Sequence, residues 1–339
     1  MTIDPLGPGG VLHAVVSAAT GPQRARDVLD TLAIDPALGG IGDVASRAQV
    51  AMALNAALFA DLLDRVPSAA RYVAGVREAG TRIVFDHGAL RTIDGATGDL
   101  PNGFLAFKRI LEPLGYEVTG VYPLPRLRMT GRAFAHRDMA EAIPQFFVSE
   151  LHCAELPEDA QEACKSVFGQ SRDPLGPVET GALLALSATG EIPLDRACAA
   201  LPGLVAAFGS HHPEPLLDDY TTLLHHSKEA AWIATEGNAF NHGTDRVPDV
   251  VALSTELKAA GLPMKAEVEV SANGRVRQTA LLADKVSRRF RMSGGGFATR
   301  EAPGSFYEFI SRDPLPEGGL DLTFDSSNAT GIFAVTSAQ

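Results

Sequence analysis

The feature that most constrains this fold is a change of period at Thr81. Before it, residues 44–79 are rich in Ala, Leu, Val, Arg and Asp, with apolar residues at intervals of three and four (Val50, Ala53, Leu54, Ala57, Leu58, Leu62). That spacing puts one apolar stripe on a helix. Pro67 predicts a division into two helices, because its ring clashes with the preceding turn of a continuous one. From Thr81 the apolar residues come instead in short β-branched or aromatic runs bounded by Gly or Pro: RIVFDHGALRTI, YEVTGVYPL and FFVSELHCAEL. These are strand signals. Helical composition returns over about 156–235, Ala- and Leu-rich with Pro breaks as far as Gly209, and then as one amphipathic helix in YTTLLHHSKEAAWIAT. From Lys265 strands resume in AEVEVS, VRQTALLA and SFYEFISRD, and Asn273-Gly274 between two alternating runs predicts a hairpin turn.

Helices, strands, helices, strands is the order of an α+β protein in which two strand groups join in one sheet. The expected organisation is a helical segment over 1–80 and a β-core over 81–339 that carries the helices of about 156–235 as an insertion. A chain of 339 residues can bury a large core, so the helices and the β-core are expected to pack as one compact unit.

Charge and cysteine usage narrow the partners. Lys and Arg number 29 against 41 Asp and Glu, a formal net charge of −12. This balance disfavours a nucleic acid or an anionic membrane as partner, since either needs a basic face. No segment approaches the roughly 18 uninterrupted apolar residues of a membrane helix, and MTIDPLGPGG lacks the pattern of a signal peptide. Cys153, Cys164 and Cys198 are too scattered for a disulfide framework and form no CxxC pair. A reducing, cytoplasmic setting is expected; the oligomeric state stays open.

Of the nine histidines, His211-His212 and His225-His226 are adjacent pairs. Neighbours point in different directions on a helix or strand, so a doublet chelates poorly, and solvated or capping roles are expected. His13 and His136 lie in polar or helical contexts and carry the same expectation. His87 and His242 differ. Each opens a His-Gly-x-x-Arg pattern and follows a phenylalanine by two, as Phe85-x-His87 and Phe240-x-His242; Phe306-x-Glu308 repeats the arrangement with a carboxylate. Residues two apart on a strand share a face, so three strands could each present one ligand above an aromatic floor. Two imidazoles and a carboxylate form the facial triad that holds non-haem Fe(II), and Zn(II) or Mn(II) accept the same donors. Composition alone leaves open buried, hydrogen-bonded core groups instead.

Around this trio, Arg91 stands four residues after His87 and can aim a planar fork of donors at a carboxylate. Gln278, in VRQTALL, is an uncharged donor and acceptor on an expected strand and a candidate for binding substrate. Arg246 lies in GTDRVPD, which reads as a turn. Ser293-Gly294-Gly295-Gly296 lacks a following Lys-Ser/Thr and reads as a turn near the pocket mouth, not a phosphate loop. Trp232, on an apolar helical face, reads as core. There is no GxSxG, and no GxGxxG follows a strand.

Taken in order, FDHGALR, YEVTGVYPLP, FFVSEL, SKEAAWIATEGNAFNHGT, RQTALLAD and GSFYEF resemble the 2-oxoadipate dioxygenase/decarboxylase family, distant relatives of the vicinal-oxygen-chelate enzymes, from about residue 45 to 335. The resemblance implies a central, incompletely closed β-barrel-like sheet of vicinal-oxygen-chelate type with N-terminal and inserted helices. It implies Fe(II) on His87, His242 and Glu308, and Arg91 on a substrate carboxylate. The reaction it implies consumes O2 and a small 2-oxo acid, releases CO2, and for 2-oxoadipate yields 2-hydroxyglutarate. Two departures loosen the substrate. Gly243 stands where relatives commonly carry a bulky aromatic, which would enlarge the pocket. The chain also ends at Gln339, soon after SSNATGIF, where longer relatives continue with a region that closes over 2-oxoadipate. Two other classes stay in view. One is a redox-neutral lyase or isomerase using Zn, Ni or Mn as Lewis acid, with Asp86 or Glu269 as a carboxylate base. The other is a non-catalytic small-molecule-binding protein, against which the complete set of His, His, Glu and Arg argues.

Overall fold

The computed structural model describes residues 4–324 together with 335 and 336. SSNATGIF, residues 326–333, lies outside the described residues. The chain opens with helices α1 (Val11–Thr20) and α2 (Pro22–Thr31), a short strand β1 (Val44–Ser46), and helices α3 (Arg47–Arg65) and α4 (Pro67–Glu78). Ser46 starts α3 with a capping box, accepting from the Gln49 backbone while the Gln49 side chain accepts from its own. Pro67 then takes the first position of α4, where a missing N–H costs nothing.

Next come β2 (Phe85–Asp94), α5 (Leu105–Leu111), β3 (Tyr116–Leu124), β4 (Met129–His136) and β5 (Gln145–His152). The helical stretch comprises α6 (Glu158–Phe168), α7 (Pro177–Thr189), a short β6 (Glu191–Pro193), α8 (Leu194–Ala206), α9 (Leu217–His226) and α10 (Lys228–Glu236). The chain returns through β7 (Phe240–Arg246), α11 (Val250–Ala259), β8 (Glu269–Val270), β9 (Val276–Ala280), β10 (Lys285–Arg291), β11 (Phe297–Pro303) and β12 (Phe306–Arg312).

Eight strands form one curled, half-barrel sheet in the order β3-β4-β5-β2-β7-β12-β9-β8. The architecture is α+β, and the two strand groups meet where β2 runs antiparallel to β7. On the other side of β2 lies β5, in parallel; β7 in turn pairs with β12, also in parallel. These central strands are buried along almost their whole length, as strands covered on both faces must be. One face packs on α3 and α4 through aromatic contacts: Phe59 to Phe85 at 5.2 Å, and Tyr72 to Phe309 at 4.8 Å between ring centroids. The other face, the inside of the curl, carries the polar residues discussed below. Among the described residues no helix is long and apolar enough to cross a membrane.

The structure departs from or refines the local sequence patterns in three places. Residues 220–235 are two helices, because Ser227 ends α9 and its side chain accepts from the Ala230 N–H to cap α10. GTDR is the end of β7, so Arg246 stands on a strand. SGGG is the turn of a separate β10–β11 hairpin, with Gly295 and Gly296 at φ of 91° and 81°. Helix α11, on which no sequence pattern had been read, begins after Asp249, which caps the N–H groups of Val251 and Ala252.

Candidate metal centre

Strand register brings three distant residues together. His87 on β2, Thr244 on β7 and Glu308 on β12 form one cross-strand row, and His242 lies two residues before Thr244 on the middle strand, on the same face. The Nε2 atoms of His242 and His87 lie 3.1 and 3.3 Å from Glu308 Oε2. One ligand atom from each of the three falls within 4.8 Å of the others, and all three residues are buried.

The Phe-x-ligand repeat has a different structural meaning from the aromatic floor expected. Register shifts in the β2–β7 ladder fall between Phe85 and His87 and between Ala89 and Leu90. Such a bulge breaks the two-residue alternation. Phe85 therefore packs on Phe59 of α3 and Phe240 on Phe85 and Phe146, on the helix side of the sheet. Of these three phenylalanines only Phe306 lies beside a ligand candidate, its ring 4.6 Å from that of His242. Gly243 also faces away from the centre: a Cβ there would meet Leu62 of α3 at 3.1 Å and Phe85 at 3.3 Å. Its small size serves helix packing and does not enlarge the pocket.

The same bulge brings Asp86 to the ligand side, its Oδ1 3.8 Å from His87 Nδ1. Arg312, on the face of β12 that carries Glu308, donates Nε to both Asp86 oxygens at 2.8 Å, and neither side chain is more than 1% exposed. Arg312 Nη1 donates to the carbonyls of Asp321 and Thr323 at 2.7 and 2.9 Å. It thereby draws the segment after β12 across the curl, where the Phe324 ring sits 4.9 Å from that of His87.

Arg91 lies further along β2, on the other side of His242. It is 1% exposed, with its guanidinium carbon 4.8 Å from the Trp232 ring centre and Nη2 donating to Thr336 Oγ1 at 3.0 Å. Trp232, expected as core, is thus also a platform for Arg91. Gln278 pairs with Ile310 and donates Nε2 to Glu269 at 3.3 Å, while Glu269 also receives Lys265 Nζ at 2.5 Å. Ile310 is two residues from Glu308 on β12, so Gln278 stands on the sheet face that carries Glu308, with Glu269 as its partner.

Burial works against charge on all these groups, and partners decide which keep it. Glu308 is desolvated, yet the adjoining His242 and His87 imidazoles hold its carboxyl far below the usual range. Burial pushes the His242 imidazole down, toward the neutral form that ligates metals. Burial also opposes charge on His87, but the Asp86 and Glu308 carboxylates outweigh it and raise the imidazole. Arg91 is lowered by burial to about 10, and so remains charged at neutral pH. Arg312 neutralises Asp86, leaving an ionised Glu308 facing two imidazoles in a dry setting. That donor set fits a divalent cation.

A family model described as 2-oxoadipate dioxygenase/decarboxylase matches residues 50–320, a span that contains all three ligand candidates and Arg91. The chain belongs to this family. Among 2-oxoadipate dioxygenase/decarboxylase relatives, the chloroplastic protein of Arabidopsis thaliana is 30% identical over 126 residues, 34% of this chain, so the match spans about a third of the curated relative's length (33%). A solved structure from Ralstonia eutropha JMP134, assigned to the glyoxalase superfamily, is 47% identical with a TM-score of 0.90, covering 93% of this chain and 98% of that one. The hydroxyglutarate synthase of Oryza sativa, solved with 2-oxoadipate, shares the fold at 21% identity and a TM-score of 0.67, over 86% of this chain and 93% of its own.

Thr244, Asp86 and Arg312 complete the surroundings of the candidate centre. A signal for Thr244 was present in NHGT: it stands two after a strand histidine, on the same face. Arg312 carries no such signal, because only the pairing of β12 places it opposite the start of β2.

Proposed function

We propose that the protein catalyses Fe(II)- and O2-dependent oxidative decarboxylation of a small 2-oxo acid, of the 2-oxoadipate to 2-hydroxyglutarate type. One observation carries this reading: the buried convergence of His87, His242 and Glu308 within 4.8 Å, in a chain of the dioxygenase/decarboxylase family. His87, His242 and Glu308 would hold the metal. Ferrous iron bound there would supply oxygen activation and polarise a chelated 2-oxo acid; zinc, which has no redox chemistry, would fit the same donors without supporting the oxidation.

The chain's own part is to bind, orient and keep water out. Arg91 follows His87 by four residues on the same strand face, and its fork is fixed against Trp232 and Thr336. A planar, pre-set guanidinium is suited to a substrate carboxylate. Phe306 and Phe324 flank the imidazoles and exclude water. The redox-neutral alternative needs a carboxylate base, but Asp86 is locked by Arg312 and Glu269 by Lys265 and Gln278. That engagement favours the oxidative reading, in a soluble protein of the cytoplasm.

The test is to purify the protein anaerobically, load Fe(II), and follow O2 uptake and CO2 release over a panel of 2-oxo acids. At least one acid should stimulate both in equal amounts; a loaded protein that no acid stimulates would sink the reading. His87→Ala, His242→Ala and Glu308→Ala should each abolish metal loading and turnover. Arg91→Ala should keep its iron and raise KM by about 10- to 100-fold, the loss of a charge-assisted bidentate contact worth about 1.5–3 kcal/mol.

A further inference from the structure

Thr244 stands in the middle of the ligand row and belongs to no ligand set. It is fully buried, and its Oγ1 lies 2.9 Å from Glu308 Oε2 and 3.1 Å from His87 Nε2. A hydroxyl has one proton to give and lone pairs to receive. An ionised carboxylate only accepts, so the Thr244 proton goes to Glu308, and the contact with His87 is made by an Nε2–H donating to Oγ1. Glu308 Oε2 is also the oxygen that faces both imidazoles. The hydroxyl therefore grips the one carboxylate oxygen aimed into the ligand cluster.

We propose that Thr244 is a positioning residue of the metal centre, whose hydroxyl fixes Glu308 Oε2 between His87 and His242. Three features suit it to this. The middle strand places it in register with both outer ligands at once. Its β-branch restricts χ1, so the donor is aimed before anything binds. Its proton is needed by Glu308 alone. When a cation takes the His87 Nε2 lone pair, the contact with His87 loses its proton and the bond to Glu308 persists. In the metal-free chain the same hydroxyl links His87 to Glu308 and keeps the row assembled. Without it, the imidazoles alone among the described residues are left to order a long and flexible carboxylate. The inference rests on the metal-site reading above and is independent of which oxidation, if any, follows.

The experiment compares wild type with Thr244→Val, Thr244→Ala and Thr244→Ser. It uses calorimetric titration with Zn(II) and the visible absorption spectrum of the Co(II)-loaded protein, with thermal melts to confirm folding. Loss of a hydrogen bond that orients a ligand should weaken Zn(II) binding about 10- to 100-fold in both Val and Ala variants. The Co(II) band should shift in both, and Ser should restore affinity and spectrum. Ala matters because Val sets a methyl against the carboxylate; if Val does not fold, Ala carries the comparison. Wild-type affinity and spectrum in the Ala variant would overturn the proposal, as would a Ser variant as impaired as Ala. A wild-type protein that binds neither metal would remove the metal-site reading and this inference together.

Discussion

Asp245 shows how the sheet's two faces are kept apart at the level of a single residue. It follows Thr244 and points the other way, into the layer of α4. There its carboxylate accepts from Tyr72 Oη at 2.7 Å and the Val84 N–H at 3.0 Å. Burial raises its pKa to about 6, against these two hydrogen bonds. The sign of the pH effect follows. Between about pH 4 and 6 the folded chain holds a proton at Asp245 that the unfolded chain has released. This contribution to stability is complete below the unfolded pKa and is lost as pH rises through 6. Asn mimics the protonated acid, giving an acceptor to Val84 and a donor to Tyr72. Asp245→Asn should therefore gain stability relative to wild type by up to about 3 kcal/mol between pH 4 and pH 7, since each pH step between the unfolded and folded pKa values is worth about 1.4 kcal/mol. Urea unfolding at several pH values measures this, and a difference that stays flat with pH would contradict it.

At the scale of elements, β2 is the part that tolerates least. Gly88 points from it to the helix side, and a Cβ there would stand 1.6 Å from Phe240 Cζ; at Gly243, across the ladder, the nearest atom would be Leu62 Cδ2 at 3.1 Å. Gly88→Ala should therefore cost about 3 kcal/mol or more, because neither the strand nor the buried ring can yield, while Gly243→Ala should cost about 1 kcal/mol or less. Urea midpoints compare the two, and equal costs would show that Phe240 can move. The same strand marks the limit of what the sequence discloses. A period near 3.6 showed α3, and Pro67 its end, because both are local effects. Short β-branched or aromatic runs showed β2, β5 and β12. The bulges beside His87 and Ala89 left no trace, because the energy that sets them comes from packing Phe85 and Phe240 on α3 and β5, residues remote in sequence. The candidate trio was readable, since spacing and family resemblance converged on His87, His242 and Glu308, which the fold brings together. The supports of that trio were not: Arg312 reaches Asp86 only because β12 runs antiparallel to β2, with β7 between them.

For the molecule as a whole, the ligand row lies across the seam where the two strand groups meet. His87 comes from the first group, His242 and Glu308 from the second, and β2–β7 is the only ladder between the groups in the described sheet. A cation held by all three residues would tie both halves of the sheet together, and unfolding would have to release it. Any ligand that binds only the folded chain stabilises it by RT ln(1 + [L]/Kd), about 2.7 kcal/mol at a hundredfold excess over Kd. Metal at that excess should raise the unfolding free energy of the wild-type protein by about this amount, and a chelator should reverse it. Glu308→Ala should respond differently in each state. Without metal it loses a buried carboxylate whose desolvation opposes folding but whose hydrogen bonds support it, so its stability should lie within about 2 kcal/mol of wild type. With metal it should gain nothing. Denaturant midpoints of both proteins, with and without metal, separate these effects. An equal metal-induced gain in Glu308→Ala would place the stabilising cation elsewhere and detach the ligand row from the seam.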